Sequence, residues 1–71
     1  MIYKINSTNI SMIDYEPTDL TLTVYFKNGN VYNYYPIYEN QVLEFSSAIS
    51  KGKWFNKNIR SNKSLGVKKV K

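Results

Sequence analysis

Leu20-Thr-Leu-Thr-Val-Tyr-Phe26, then Lys27-Asn-Gly-Asn30, then Val31-Tyr-Asn-Tyr-Tyr35, is the stretch from which the architecture follows. Leu20, Leu22, Val24 and Phe26 alternate with Thr21, Thr23 and Tyr25, the period-2 pattern of a half-buried strand. Asn28-Gly29 between two such runs is a strong hairpin signal. Two registers compete. A two-residue turn at Asn28-Gly29 sets Tyr32 and Tyr34 opposite Tyr25 and Thr23. A three-residue loop with Gly29 left-handed sets them opposite Val24 and Leu22. The second is preferred, because it joins the two tyrosines to the Leu/Val/Phe face and makes one continuous apolar surface.

Outward from the hairpin, Asn9-Ile-Ser-Met-Ile-Asp-Tyr15 reads as a shorter strand with Ile10 and Met12 on one face. Glu16-Pro17-Thr18-Asp19 is turn chemistry, with Pro17 fixing φ and Asp19 able to bond its own backbone. Ile2–Ile5 offers an edge strand. After Pro36, Tyr38, Val42, Phe45 and Ile49 are spaced 4, 3 and 4, one stripe of a helix, with Gly52 as a C′ residue. A second helix is expected from about Lys53 to Arg60, with Phe55 and Ile59 on one side and Lys53, Lys57 and Arg60 opposite. Ser61–Ser64 reads as loop, and Leu65, Val67 and Val70 as a final short strand or a docking arm. The expected fold is α+β: a three- to four-stranded antiparallel β-meander covered by one α-helix, plus a short C-terminal basic helix. Residues 1–60 form the single domain and residues 61–71 a basic tail.

Composition narrows the chemistry. The chain has 71 residues, room for one small domain, and no cysteine or histidine. Disulfides, thiolate metal sites and the commonest general base are thereby excluded. Asp14, Glu16 and Asp19 lie close in sequence but lack calcium-loop spacing, and the glycines at 29, 52 and 66 form no phosphate loop. No catalytic residue, metal site or cofactor is assigned, and the protein is expected not to be an enzyme. No apolar run approaches membrane-spanning length and no signal-peptide pattern opens the chain, so a cytoplasmic, non-membrane protein is expected.

Charge is divided along the chain. Residues 1–50 carry two lysines against five acids, whereas residues 51–71 carry eight cations and no acid. Such asymmetry points to a polyanionic partner. Within Lys51-Gly-Lys-Trp-Phe-Asn-Lys-Asn-Ile-Arg60, three cations on one helical face can meet successive phosphates. Asn56 and Asn58 can contact bases or sugars, and Trp54 either stacks on a base or anchors the core. The candidate nucleic-acid- or anion-binding residues are Lys51, Lys53, Trp54, Asn56, Lys57, Arg60 and Lys63. Tyr32 and Tyr34 are expected in the core, and Tyr25 on the opposite face.

These residues resemble the KTSC domain, a module named after the C-terminus of some lysyl-tRNA synthetases. The matching stretches are Ser7-Thr8-Asn9-Ile10, Asp14-Tyr15, Leu22-Thr-Val24-Tyr-Phe26-Lys-Asn28-Gly29, the YxY of Tyr32-Asn33-Tyr34, and Pro36. The last is Ser50-Lys51-Gly52-Lys-Trp-Phe55-Asn56-Lys-Asn-Ile59-Arg60, similar to the family's S-K-G-x-x-F-N-x-x-I-R. The resemblance covers roughly residues 7–60 and departs after Arg60, where the chain is Ser/Asn/Lys-rich. It implies a stand-alone bacterial or phage member and suggests RNA binding, with Asn56 and Arg60 as contacts. Two function classes therefore stand beside each other. One is a nucleic-acid-binding module for RNA or single strands. The other is a phage-encoded factor that meets a host protein or sequesters a small anionic nucleotide, as a homo-oligomer in one form.

Overall fold

In the computed structural model, which describes residues 1–71, β3 (Thr21–Phe26) and β4 (Val31–Tyr35) form the expected antiparallel hairpin. Leu22 lies opposite Tyr34 and Val24 opposite Tyr32, the register of the three-residue loop. Gly29 has φ 95°, its N–H donates to the Phe26 carbonyl at 3.0 Å, and the Phe26 N–H donates to the Asn30 carbonyl at 2.9 Å. A left-handed residue is needed to turn the chain inside so short a loop, and glycine supplies it without steric cost.

β2 (Ile10–Glu16) pairs with β3, and β1 (Ile2–Lys4) pairs with β2 as an edge. A bulge between Ile10 and Met12 changes the facing of β2, and the Ser11 hydroxyl there donates to the Tyr25 carbonyl at 3.0 Å. Ile10, Ile13 and Tyr15 are the buried residues, whereas Met12 pairs with Tyr25 on the other face. The expectation that Ile10 and Met12 share a face is therefore corrected, because one inserted residue reverses the alternation. At the next turn it is the Glu16 carboxylate, not Asp19, that accepts hydrogen bonds, from the Thr18 N–H at 3.2 Å and the Thr18 hydroxyl at 2.6 Å.

The sheet has five antiparallel strands in chain order. The fifth, β5 (Gly66–Lys69), lies within the stretch read from the sequence as a basic tail and pairs with β4, Tyr34 opposite Val67 and Tyr32 opposite Lys69. Gly66 faces Tyr35 so closely that a Cβ would collide with the ring, an aromatic lying over a strand glycine.

α1 (Glu39–Ser47) buries Val42 and Phe45 but not the outer two positions of the expected stripe. Tyr38 is only the N-cap, where the Gln41 side chain accepts its N–H at 2.8 Å, and Ile49 is fully exposed. The helix stops early because Ala48 is extended (ψ 140°), beside Ser46 and Ser47, whose hydroxyls donate back to the Leu43 carbonyl at 3.0 and 2.7 Å. Gly52 accordingly lies inside the next helix, not at the end of this one. That helix, α2 (Lys51–Phe55), begins two residues before the expected start and runs into a π-helical turn, Asn56–Arg60.

The helices close one face of the sheet over a core that includes Leu22, Val24, Tyr34, Val42, Phe45, Phe55 and Ile59, with Phe26 packed at its margin. Ile5, Ile10, Ile13, Tyr15 and Ile37 complete it. The one hydroxyl that burial strands deepest is satisfied: Tyr15 donates to the Ile37 carbonyl at 2.7 Å.

Candidate functional site

The basic helix is pinned by aromatics. Phe55 meets Tyr34 edge-on at 5.5 Å and Phe26 at 5.8 Å, and Trp54 stacks on Phe45 at 5.0 Å with the rings 10° apart. Trp54 is thus a half-buried anchor of α2 on α1. Asn58 is also committed locally, its side-chain amide donating to the Trp54 carbonyl at 2.9 Å.

The π turn changes where the cations point. Ser61 N–H donates to the Asn56 carbonyl at 3.0 Å, an i→i+5 bond. In an α-helix, residues five apart lie about 140° apart around the axis. The wider turn brings them toward one side, and the Arg60 guanidinium stands 5.5 Å from the Phe55 ring centroid. Arg60 is therefore exposed but packed on Phe55, and the expected arrangement with Arg60 opposite Phe55 is corrected. Its charge also reaches Tyr34, whose hydroxyl pKa is raised by burial and pulled back by Arg60.

At the hairpin end of the sheet three depressions that share lining residues form one groove, polar at one end and aromatic at the other. The first, about 510 Å³, is lined by Asn6–Asn9, Lys27 and Ile49–Gly52. The second shares Thr8, Asn9 and Lys27 and adds Phe26, Asn28 and Arg60. The third shares Phe26, Asn28 and Arg60 and adds Asn30, Tyr32 and Tyr34. Loops 5–9 and 27–30, the α1–α2 linker and the π turn thus meet at one place, although they are distant in sequence.

The groove has no carboxylate in its walls. Asp14, Glu16 and Asp19 sit toward the opposite end of β2 and β3, so the domain is electrically polar along its strands. The molecule's single ion pair joins the N-terminal amine to Asp14 at 3.4 Å, which leaves Lys27, Lys51 and Arg60 without a carboxylate partner. Lys51 is held by one bond, its ammonium donating to the Ala48 carbonyl at 3.0 Å, with two N–H groups left to serve a ligand.

Of the residues singled out in the sequence, Lys51 and Arg60 line the groove. Lys53, Asn56, Lys57 and Lys63 are exposed outside it, and Trp54 is spent on packing. Tyr25 is half-buried on the sheet face away from the helices. Tyr32, expected in the core, is half-buried against Phe26 and also lines the groove. Sequence reasoning did not assign Ser7, Thr8, Asn9, Lys27 or Asn28 to a site. They are polar residues at strand ends and in loops that build none of the core, and nothing in the sequence pairs the two loops.

The fold agrees with what the chain is similar to. Residues 6–62 match the family model described as the KTSC domain. A lysine–tRNA ligase of Nostoc sp. is 36% identical over 59 residues, 83% of this chain, and the matched region spans 10% of that enzyme's length. The crystal structure of a KTSC domain protein from Yersinia pestis superposes with a TM-score of 0.87 at 28% identity, covering 100% of this chain and 97% of that one. Ser7–Asn9, Lys27, Asn28, Tyr32, Tyr34, Ser50–Gly52 and Arg60, which line the groove, all fall within the matched residues, and this chain belongs to the KTSC domain family.

Proposed function

We propose that this protein is a non-enzymatic binding module for single-stranded nucleic acid, RNA foremost, and that the groove is its contact surface. The observation that carries this reading is the convergence of Lys27, Lys51 and Arg60 on a wall without acids, none of them neutralised by a carboxylate. Unpaired cations in such a cleft raise the local potential and release counterions when phosphates replace them. The exposed Lys53, Lys57 and Lys63, and Lys68, Lys69 and Lys71 at the C-terminal end of the chain, extend the field without lining the groove. One similar protein, by its name, charges a tRNA with lysine, which is consistent with an RNA partner.

Anisotropy titrations of labelled single-stranded RNA at two salt concentrations test this. Lys51→Ala and Arg60→Ala should each weaken binding and flatten the salt slope by about one unit. Undiminished binding by the double variant would remove the groove from the mechanism. A second reading, sequestration of a small anionic nucleotide, is favoured by the first depression's volume of about 510 Å³, within the range of small-ligand sites. Tight binding of a mononucleotide with no gain from a longer strand would establish that reading instead.

A further inference from the structure

We infer that the groove is divided into a phosphate end and a base end, so that its ligand is a ribonucleotide strand of two or more units. Phosphate sits at Lys51 and Lys27, and a base lies against Tyr32 beside Arg60. This rests on the single-strand reading above and adds an order and a minimum length to it.

The two ends differ in chemistry. The first depression offers Lys51, Lys27 and the hydroxyl residues Ser7, Thr8 and Ser50, with Ile49 its one apolar liner and no aromatic ring. Ammonium and hydroxyl donors suit phosphate oxygens, and a base would find no π-face there. The third depression offers Phe26, Tyr32 and Tyr34 with Arg60. Tyr32 is braced edge-on against Phe26 at 5.8 Å, and the guanidinium is braced over Phe55 at 5.5 Å. Rings and guanidinium planes are the groups on which unpaired bases stack.

The order of the ends follows from the shared walls. Thr8, Asn9 and Lys27 belong to both the first and second depressions, and Phe26, Asn28 and Arg60 to both the second and third. The middle is therefore the polar stretch between phosphate and base. Asn28 there already accepts the Asn30 N–H at 2.9 Å through its side-chain oxygen, which leaves its amide N–H groups to donate. Thr8 and Asn9 add groups that both donate and accept, matching a 2′-hydroxyl that does the same.

The test is a set of anisotropy and calorimetric titrations with uridine oligonucleotides of increasing length, their DNA counterparts, and abasic ribose-phosphate strands. Affinity should rise sharply from one unit to two, and RNA should bind several-fold tighter than DNA. Tyr32→Leu should weaken binding of base-bearing strands at least about fivefold while leaving abasic strands unchanged, whereas Lys51→Ala should weaken both. Tyr32→Phe, which keeps the ring, should bind like the parent, and Trp54 fluorescence checks that each variant is folded. Equal effects of Tyr32→Leu on based and abasic strands, or equal affinity for RNA and DNA, would overturn the division while single-strand binding stands. Failure of every strand, a long RNA included, would overturn the underlying reading as well.

Discussion

The guanidinium of Arg60 lies over the ring of Phe55, 5.5 Å from its centroid, although the two are neighbours on one short helix and only the ring is buried. One residue thus joins the core to the groove. Arg60→Ala should cost about 0.5–1 kcal/mol through loss of an exposed cation–π contact. Lys57→Ala, on an exposed residue outside the groove, should cost nearly nothing. Urea midpoints measured beside RNA titrations separate the two. A large stability loss for Arg60→Ala with unchanged binding would make Arg60 structural only.

Gly29 has φ 95°, and a Cβ placed there would meet nothing within 4 Å. Any penalty for a side chain is then purely a matter of backbone. Gly29→Val should destabilise the domain by at least about 1 kcal/mol, and Gly29→Asn by less, since Asn tolerates the left-handed region. Equal thermal midpoints for the two variants would contradict this.

Phe45 is fully buried and stacks on Trp54, so it holds both helices to the sheet. Phe45→Ala should cost about 3–5 kcal/mol, much of the margin of so small a domain. The near-ultraviolet signal and the Trp54 emission should both collapse toward those of the unfolded chain.

Burial raises the hydroxyl pKa of Tyr15 above the ordinary 10.0, with Glu39 and Tyr38 adding to the shift, and burial raises Tyr34 likewise. Because the folded values exceed the unfolded one, the stability these groups contribute is full below pH 10.0 and is lost as pH rises through the folded values. Denaturant midpoints measured across the alkaline range should therefore fall. Tyr15→Phe should blunt that fall and cost about 1–3 kcal/mol at neutral pH, because the buried Ile37 carbonyl loses its donor.

The hairpin, its register and the left-handed glycine were legible because alternation, turn chemistry and facing all agreed on them. The bulge in β2 was not, since Ile10 and Met12 satisfy a period of two and nothing local marks Ser11 as the extra residue. The end of α1 was misread for a similar reason. Ile49 falls at helical spacing, but the backbone leaves the helix at Ala48. In the site, the motif pointed to Lys51 and Arg60, whereas the position of Arg60 depended on a π turn that no residue pattern announces. Ser7–Asn9 and Lys27 were invisible as partners because tertiary closure alone brings their loops together.

β5 pairs with β4 only after the chain has passed through both helices, while every other pairing joins strands linked by a short loop. In kinetic terms the first four strands close on local loops and the last closes a long one, so β5 zips late. Its exposed edge should also open readily, and amide exchange at Val67–Lys69 should outpace that within the central β3. Lys68 and Lys69 then ride on a labile edge strand, with Lys71 just beyond it. Lys51, bonded to the Ala48 carbonyl, and Arg60, packed over the buried Phe55 ring, are tied to the helices instead, so a pliant rim flanks a rigid seat.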